Sequence, residues 1–225
     1  MKTKIIFATE SYHPQIDGGA VSERKLARSL AEQGYEVTVL APSADWRNHI
    51  ERDGKTKIVR LAAAELPLVR SGARAALYPH FTVDEVVKRI QPEIIHVFNP
   101  FGIGRAALGA ARKYQIKKIA TNHLMPENLT MFIASLRFVN NYKEIRNLNW
   151  RYIVGFHNNF DFVTAPSRTA VSLLLEHHLR VPVEAVSNGV DLRRFHPLVN
   201  PEKIKRQYQL PDNCPIVLYT GRLSG

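Results

Sequence analysis

Two adjacent glycines stand directly before a helical pattern near the start of the chain. The loop Glu10–Gly19 reads ESYHPQIDGG and follows a short apolar run, residues 4–9, that is typical of a buried strand. Ligands bind at the carboxyl ends of strands in parallel α/β sheets. Glycines at a helix start bring backbone N–H groups and the positive helix end close to an anion such as a diphosphate. Gly18 and Gly19 are therefore candidates for an anion site, with an ordinary loop turn as the alternative.

A histidine at the end of a later strand is the second candidate. His123 follows Ala120-Thr121-Asn122, at the point where the predicted strand 118–121 ends. An imidazole in that place can hydrogen-bond a sugar hydroxyl or a leaving phosphate oxygen. The alternative is a histidine with a purely structural role.

A third motif, Gly102-Ile103-Gly104-Arg105-Ala106-Ala107, has the pattern G-x-G-x-x-A after a strand, which is typical of dinucleotide binding. That fingerprint normally follows the first strand of the sheet, and the next strand, 118–121, carries no acidic ligand for a ribose. We therefore predict that these glycines allow close packing of a helix on the sheet. A dinucleotide-dependent oxidoreductase is the alternative.

Metal and nucleic-acid chemistry find little support in the sequence. The pairs His13 with Asp17 and His177 with His178 lack a third ligand, so no metal site is expected. The basic residues are scattered rather than set in a stripe with aromatic residues, so no nucleic-acid partner is expected. The stretch from Phe132 to Phe156 mixes apolar and basic residues. It is either a surface for anionic lipid or a core-facing helix with a solvated basic face.

Short apolar runs alternate with amphipathic ones along the chain, which predicts βα units. Strands are predicted at 4–9, 36–41, 57–61, 94–98, 118–121, 162–165 and 183–187. Helices are predicted at 21–33, 83–90, 104–114, 132–160 and 167–178, the last with Ser167 as its cap. This order predicts an α/β fold with a doubly wound, mostly parallel, Rossmann-like sheet and helices on both faces.

Composition narrows the class of protein. The 225 residues are 45% hydrophobic and 23% charged, which is typical of a globular protein and excludes a low-complexity chain. The single cysteine, Cys214, excludes a disulfide framework, and the sequence offers no apolar run long enough for a spanning helix. We expect a cytoplasmic protein. Its formal net charge of +11 favours an anionic partner: a phosphate-bearing substrate, a membrane surface or nucleic acid.

The last part of the chain breaks the alternation. Residues 192–213 are polar and punctuated by prolines, with one short helical pattern near 201–208, and residues 215–220 (PIVLYT) have the character of a new strand. We expect three parts: a Rossmann-like domain at 1–191, a linker at 192–213, and the first strand of a truncated second domain at 214–225.

Taken together, these residues resemble the family 4 (group 1) retaining glycosyltransferases of the GT-B fold. The segments that carry the resemblance occur in the family's order: Thr9-Glu10-Ser11-Tyr12-x-Pro14 with Gly18-Gly19-Ala20, Ile94-Ile95-His96-Val97, Thr121-Asn122-His123, Phe162-Val163-Thr164-Ala165-Pro166-Ser167, Val186-Ser187-Asn188-Gly189-Val190-Asp191 with Phe195, and Tyr219-Thr220-Gly221-Arg222-Leu223.

The resemblance implies that this chain is the amino-terminal, acceptor-binding half of a GT-B architecture. Gly18, Gly19 and Arg222 would bind the donor diphosphate, His123 would be the catalytic residue beside the transferred sugar, and Glu10 and Asn122 would lie on the acceptor side. The donor would be a UDP- or GDP-linked sugar, used as co-substrate without a cofactor or metal. The acceptor would be a sugar or a membrane lipid.

The family's donor-binding carboxylate pair, spaced E-x7-E, is not matched here. Glu176 with Glu184 and Glu85 with Glu93 have that spacing without the Gly-rich context. We therefore expect the chain alone to bind nucleotide sugar poorly and to turn over nothing. A basic loop at 66–78, with Arg70 and Arg74, favours a lipid acceptor and a peripheral position at the inner membrane face. A non-catalytic module that binds anionic lipid or a partner is the alternative.

Overall fold

The structure, a computed structural model, describes residues 2–15, 17–66, 73–126, 142–211 and 215–219. Its contacts divide the chain into two units, Met1–Asn188 and Gly189–Gly225. The strands are β1 Lys4–Ala8, β2 Glu36–Pro42, β3 His49–Asp53, β4 Thr56–Leu61, β5 Ala63–Glu65, β6 Arg74–Ala76, β7 Ile94–Val97, β8 Lys117–Thr121, β9 Phe162–Ala165 and β10 Val183–Ala185. The helices are α1 Gly18–Glu32, α2 Pro79–Ile90, α3 Gly102–Lys113, α4 Tyr142–His157, α5 Arg168–Glu176 and α6 Glu202–Gln207.

An eight-stranded sheet organises the described part of the first unit, in the order β10-β9-β8-β7-β1-β2-β4-β3. Its pairs are parallel except for β3 with β4. One half of the sheet runs from β1 through β2 and β4 to β3, and the other half runs from β1 through β7, β8 and β9 to β10. The predicted doubly wound, mostly parallel α/β sheet is confirmed.

Side chains of successive strand residues point to opposite faces, and the two faces of this sheet bury separate clusters. On β1, Ile5 and Phe7 join the cluster beneath α1, whereas Ile6 and Ala8 join the cluster beneath α2, α3, α4 and α5. At the carboxyl ends of β1, β7 and β8 the sheet is followed by polar residues. We call this end of the sheet the open edge.

Helix α1 packs through small side chains. Ala20, Ala27 and Ala31 are buried, whereas Val21 and Leu26 are 49% and 38% exposed. Small residues let the helix approach β1 and β2 closely, so its buried face is marked by alanine rather than by bulky residues.

Three short strands were not predicted, because none shows the apolar pattern of a buried strand. Strand β3 has the sequence HIERD and is mostly exposed, at the edge of the sheet. It is held by Arg60 on β4, whose Nε donates to Glu51 Oε1 over 2.8 Å. Strands β5 and β6 form a separate two-stranded sheet.

Helix α5 begins at the capping residue that the sequence predicts. Ser167 has extended backbone dihedrals, and its Oγ accepts a hydrogen bond from the Ala170 N–H over 3.2 Å. We expect Ser167→Ala to lower the free energy of unfolding by about 1 kcal/mol, because the N–H loses its partner. Ser172→Ala, an exposed position inside the same helix, should leave stability unchanged or slightly raised. Urea denaturation of both variants checks the difference, and equal losses would contradict the capping role.

The second unit contains α6, and its apolar side chains are largely exposed, among them Leu192, Leu198, Val217 and Leu218. The structure assigns no strand to residues 215–219, the described part of the strand predicted at 215–220. The proposed division at 191 and 213 stays a prediction. Cys214 and Arg222 lie outside the described residues.

Candidate functional site

The open edge lies where the direction of strand order reverses. β1 is paired with β2 on one side and β7 on the other, so the chain leaves β1 in both directions from this point. Such a switch point creates a crevice outside the carboxyl ends of the strands. The residues that follow β1, β7 and β8 are Thr9 and Glu10, Asn99, and His123. Sequence reasoning had singled out Glu10 and His123 as site residues, but not Thr9 or Asn99.

Asn99 ties the ends of β1 and β7 together. Its Oδ1 accepts hydrogen bonds from the Thr9 hydroxyl and the Glu10 backbone N–H, both over 3.1 Å. Thr9 is fully buried. Two neighbouring strands thus end in a fixed geometry, and the residues that follow them are held at one edge.

Glu10 is placed at the start of α3. Its Oε1 accepts the Ile103 N–H over 2.5 Å, and the Gly104 N–H also hydrogen-bonds this carboxyl. Burial raises the pKa of Glu10 to about 7 in spite of these two backbone donors. The Glu10 carboxyl therefore lies at the amino end of α3, where a bound anion would otherwise accept these N–H groups. The predicted acceptor-side role of Glu10 stays a prediction, and its capping contact is the role that the structure shows.

This contact bears on the dinucleotide alternative. In that alternative a pyrophosphate would lie at the amino end of α3, where the Glu10 carboxyl now accepts the backbone donors. Gly104 itself lies against the sheet: a Cβ built there would come 1.8 Å from the Asn99 carbonyl oxygen. The predicted close packing of helix on sheet is confirmed.

Gly18 and Gly19 form the first turn of α1, as their position before a helical pattern predicts. Asp17 caps this helix, since its Oδ1 accepts the Ala20 N–H over 2.9 Å, and the other carboxyl oxygen accepts from the Ser11 hydroxyl. Gly18 is exposed, and a Cβ built on it would meet nothing within 4 Å. The amino end of α1 is thus capped on one side and open at Gly18.

His123 faces the same edge from the end of β8. Its ring stacks on Phe98 with centroids 6.3 Å apart, and Phe98 stacks on His96 over 4.3 Å. Burial lowers the pKa of His123, and the nearby Asp17 charge opposes that shift. The imidazole is therefore neutral at pH 7, able to donate one hydrogen bond and accept another.

Asn122 supports the loop that carries His123. Asn122 is buried, and its Oδ1 accepts the Leu124 N–H over 3.3 Å. The backbone N–H of Asn122 donates to the Thr164 carbonyl over 2.8 Å. These contacts hold the chain after β8, whereas the acceptor-side role expected for Asn122 stays a prediction.

Glu23 is a site residue that sequence reasoning missed. It lies on the second turn of α1, is 2% exposed, and hydrogen-bonds the Thr9 hydroxyl. Burial, together with the charges of Asp17 and Glu10, raises its pKa to about 8. Its spacing from Ala20, Ala27 and Ala31 was the available signal, because these positions share one helix face.

The buried histidines and glutamates predict how stability depends on pH. Burial lowers the pKa of His96 to about 3 and of His157 to about 4, so unfolding takes up protons below pH 6.5 and acid destabilises the fold. Glu10 and Glu23 have raised pKa values of about 7 and 8, so their stabilisation is lost as pH rises from 4.5 through these values. The opposing effects balance between about pH 4.5 and 6.5. We expect the highest melting temperature in that window, and a melting temperature that still rose between pH 7 and 8 would contradict these assignments.

Two further expectations concern membranes and metals. In the stretch from Phe132 to Phe156, residues 132–141 lie outside the described residues, and on α4 the apolar Trp150, Ile153, Val154 and Phe156 are buried. The described part is therefore a core-facing helix. The helices of the described segments include none that is long and apolar enough to cross a membrane. Among the same residues, no three His, Cys, Asp or Glu side chains are grouped to hold a metal ion.

With this geometry established, comparison with known proteins assigns the family. The family model described as Glycosyltransferase Family 4 matches residues 16–194, and the chain belongs to this family. The resemblance seen in the sequence is confirmed.

Two curated relatives match most of this chain. A GDP-mannose-dependent alpha-mannosyltransferase of Corynebacterium glutamicum is 28% identical over 98% of this chain and 51% of its own length. An alpha-monoglucosyldiacylglycerol synthase of Streptococcus pneumoniae is 28% identical over 88% of this chain and 43% of its own length. This chain thus spans about half the length of the curated relatives it matches.

Solved structures show the same fold. A sucrose-phosphate synthase structure from Thermosynechococcus elongatus aligns with a TM-score of 0.54 and 14% identity, over 93% of this chain and 98% of that chain. The S. aureus MnaA–UDP co-structure aligns with a TM-score of 0.51 and 16% identity, over 92% of this chain and 51% of that chain.

Proposed function

We propose that this chain is the acceptor-side domain of a retaining glycosyltransferase that moves a sugar from a UDP- or GDP-linked donor to an acceptor. The observation that carries the proposal is that Asp17, which caps the helix beginning at Gly18 and Gly19, lies close enough to the neutral His123 for its charge to act on that imidazole. Membership of the family supports the reaction class, as do the relatives named a mannosyltransferase and a monoglucosyldiacylglycerol synthase.

The chemistry follows from what this edge offers. The exposed Gly18 allows close approach of a diphosphate to the backbone at the start of α1. His123 would hydrogen-bond a hydroxyl of the transferred sugar and hold it against the acceptor. Arg222 would add a guanidinium fork for the diphosphate. We propose no metal or further cofactor, since the helix end and basic side chains would stabilise the leaving diphosphate.

The remaining assigned residues have supporting roles in this proposal. Glu10 would border the acceptor side from its place at the start of α3, and Asn122 would hold the loop of His123. A donor-binding domain beginning near residue 214 would cover the exposed Ile216, Val217 and Leu218.

For the acceptor we propose a lipid at a membrane surface, with the protein in the cytoplasm and bound peripherally. One relative is by its name a synthase of a glucosyldiacylglycerol. Tyr78 and Phe81, at the start of α2, are each 79% exposed, and Pro79 between them lies 3.6 Å from where a Gly102 Cβ would be. Apolar rings beside the open edge would enter the lipid surface while basic residues meet anionic head groups.

Vesicle binding tests the lipid proposal. We expect the chain to co-sediment with vesicles that contain anionic lipid, less so at high salt, and the double variant Tyr78→Ser with Phe81→Ser to bind severalfold more weakly. Trp46→Ser, at a residue that is 68% exposed, is the matched control and should bind like the wild type. Equal binding by the double variant would contradict a membrane role for these rings.

Nucleotide titration tests the donor site. We expect UDP or GDP to bind weakly and to shift the backbone amide resonances of Gly18, Gly19 and His123. NADH serves as the control ligand and should shift none of them. Shifts confined to Gly102 and Gly104 on addition of NADH would instead favour the oxidoreductase and overturn the proposal.

A further inference from the structure

Glu23 carries a carboxyl group in an unusual place. The side chain is buried directly beneath the first turn of α1: its Oε1 lies 3.5 Å from the position that a Gly19 Cβ would take. Its Oε2 is buried without a hydrogen-bond partner. A buried carboxylate with one unpartnered oxygen costs far more free energy than a neutral acid in the same place.

The groups that face Glu23 are themselves acidic. Asp17, from the loop before α1, and Glu10, from the loop after β1, act on it with like charge, and the phenol of Tyr12 lies within range of its field. The nearby cations are engaged elsewhere, Arg24 with Asp53 over 2.6 Å and Arg60 with Glu51 over 2.7 Å. His123 lies within range of the Asp17 charge.

The hydrogen bonds around Thr9 leave room for a proton on Glu23. The Thr9 hydroxyl has one proton, and the carbonyl of Ser11 and Oδ1 of Asn99 accept it at 3.0 and 3.1 Å. Thr9 Oγ1 also hydrogen-bonds the Glu23 carboxyl. Thr9 Oγ1 also accepts the Ser11 N–H over 3.1 Å, and when its proton goes to Ser11 or Asn99 its second lone pair can accept a hydrogen bond from a protonated Glu23 carboxyl.

We propose that Glu23 is a positioning residue for the diphosphate subsite: as a neutral acid bonded to Thr9 it holds the Gly18–Gly19 turn and keeps negative charge from beneath it. The inference rests on the proposed function for the identity of the anion. Ionised Glu23 would place a second carboxylate beside that of Asp17 at the helix end and repel a diphosphate.

A ligand-free experiment tests the protonation of Glu23. The infrared spectrum of the chain should show protonated-carboxyl absorption at pH 6.5, and Glu23→Gln should lack the part that titrates near pH 8 while keeping the part of Glu10 that titrates near pH 7. The raised pKa means that stability is lost as pH rises from 4.5 to about 8, so the melting temperature of Glu23→Gln relative to wild type should rise across that range. Glu32→Gln, an exposed position on the same helix, should follow the wild type. A Glu23→Gln curve parallel to the wild type, with the same absorption, would overturn the proposal.

Binding of UDP tests the positioning role. Between pH 6.5 and 9 we expect the affinity for UDP to fall in both proteins. The fall in the wild type should be larger than the fall in Glu23→Gln by a factor on the order of ten. The nucleotide's own titration and that of Glu10 are common to both proteins, so the difference isolates Glu23. The same pH dependence in both would overturn the role. If UDP shifted no glycine resonance at any pH, the proposed function would fail and the diphosphate role with it, while the infrared absorption would still decide the protonation of Glu23.

Discussion

Replacing His123 by alanine is expected to lower sugar transfer at least about 100-fold, which is the size of effect typical of losing a positioned proton-transfer or hydrogen-bonding group. The assay uses a chimera in which this chain replaces the matched segment of the Corynebacterium glutamicum relative. The physical reason is the place of the imidazole: it is neutral, stacked on Phe98, and directed to the edge that holds the glycine turn. Turnover of labelled GDP-mannose measures the loss.

Two variants control this prediction. His123→Gln keeps a donor and an acceptor and should retain more transfer than His123→Ala. His196→Ala, at an exposed position, should transfer like the unsubstituted chimera. Full activity of a folded His123→Ala chimera would show that His123 is structural, which is the alternative that the sequence left open.

Gly104→Ala is expected to lower the free energy of unfolding by about 3 kcal/mol or more, at the upper end for overpacking. A Cβ at this position would lie 1.8 Å from the Asn99 carbonyl oxygen and 2.9 Å from Val97 Cγ1. The carbonyl and the strand are held in place, so α3 would have to move away from β7 to make room for the Cβ. The shift would also separate the start of α3 from the Glu10 carboxyl that caps it.

Gly109→Ala is the matched control, because Gly109 lies in the same helix and a Cβ there meets nothing within 4 Å. It should raise stability by about 0.5–1 kcal/mol, since alanine favours the helix over glycine. Denaturant unfolding of the two variants gives the comparison. Similar stability of both would contradict the close packing seen at Gly104.

The two helices that begin at the open edge differ in what satisfies their amino ends. The first N–H groups of α3 are satisfied by the Glu10 carboxyl. At α1, Asp17 caps the Ala20 N–H while Gly18 stays exposed. This difference favours α1 over α3 as the place for an anion, although both helices have glycine-rich starts.

The parts of the fold that depend on local chemistry could be predicted from sequence. Apolar runs indicated the parallel strands, Ser167 indicated the start of α5, and the pair Gly102 and Gly104 indicated the close contact of α3 with the sheet. Strand β3 could not be found in this way, because it has no apolar pattern and its Glu51 is held by an ion pair with Arg60 from another strand.

The site was only partly predictable for a related reason. Gly18, Gly19 and His123 stand out by type and by position after a strand. Glu10 was named only through the family resemblance and Glu23 was missed, because their partners are backbone or hydroxyl groups distant in sequence, Ile103 for Glu10 and Thr9 for Glu23. Such a carboxyl reads as a surface residue until the fold shows what surrounds it.

Multiple-turnover sugar transfer by the unsubstituted chimera tests the central claim most directly. If this chain is the acceptor-side domain of a glycosyltransferase, the chimera should form more than one glycosylated product per molecule from GDP-mannose. The relative's own remaining segment, without this chain, should form none. A folded chimera that binds GDP-mannose and vesicles but forms no product would contradict the claim and favour a non-catalytic binding module.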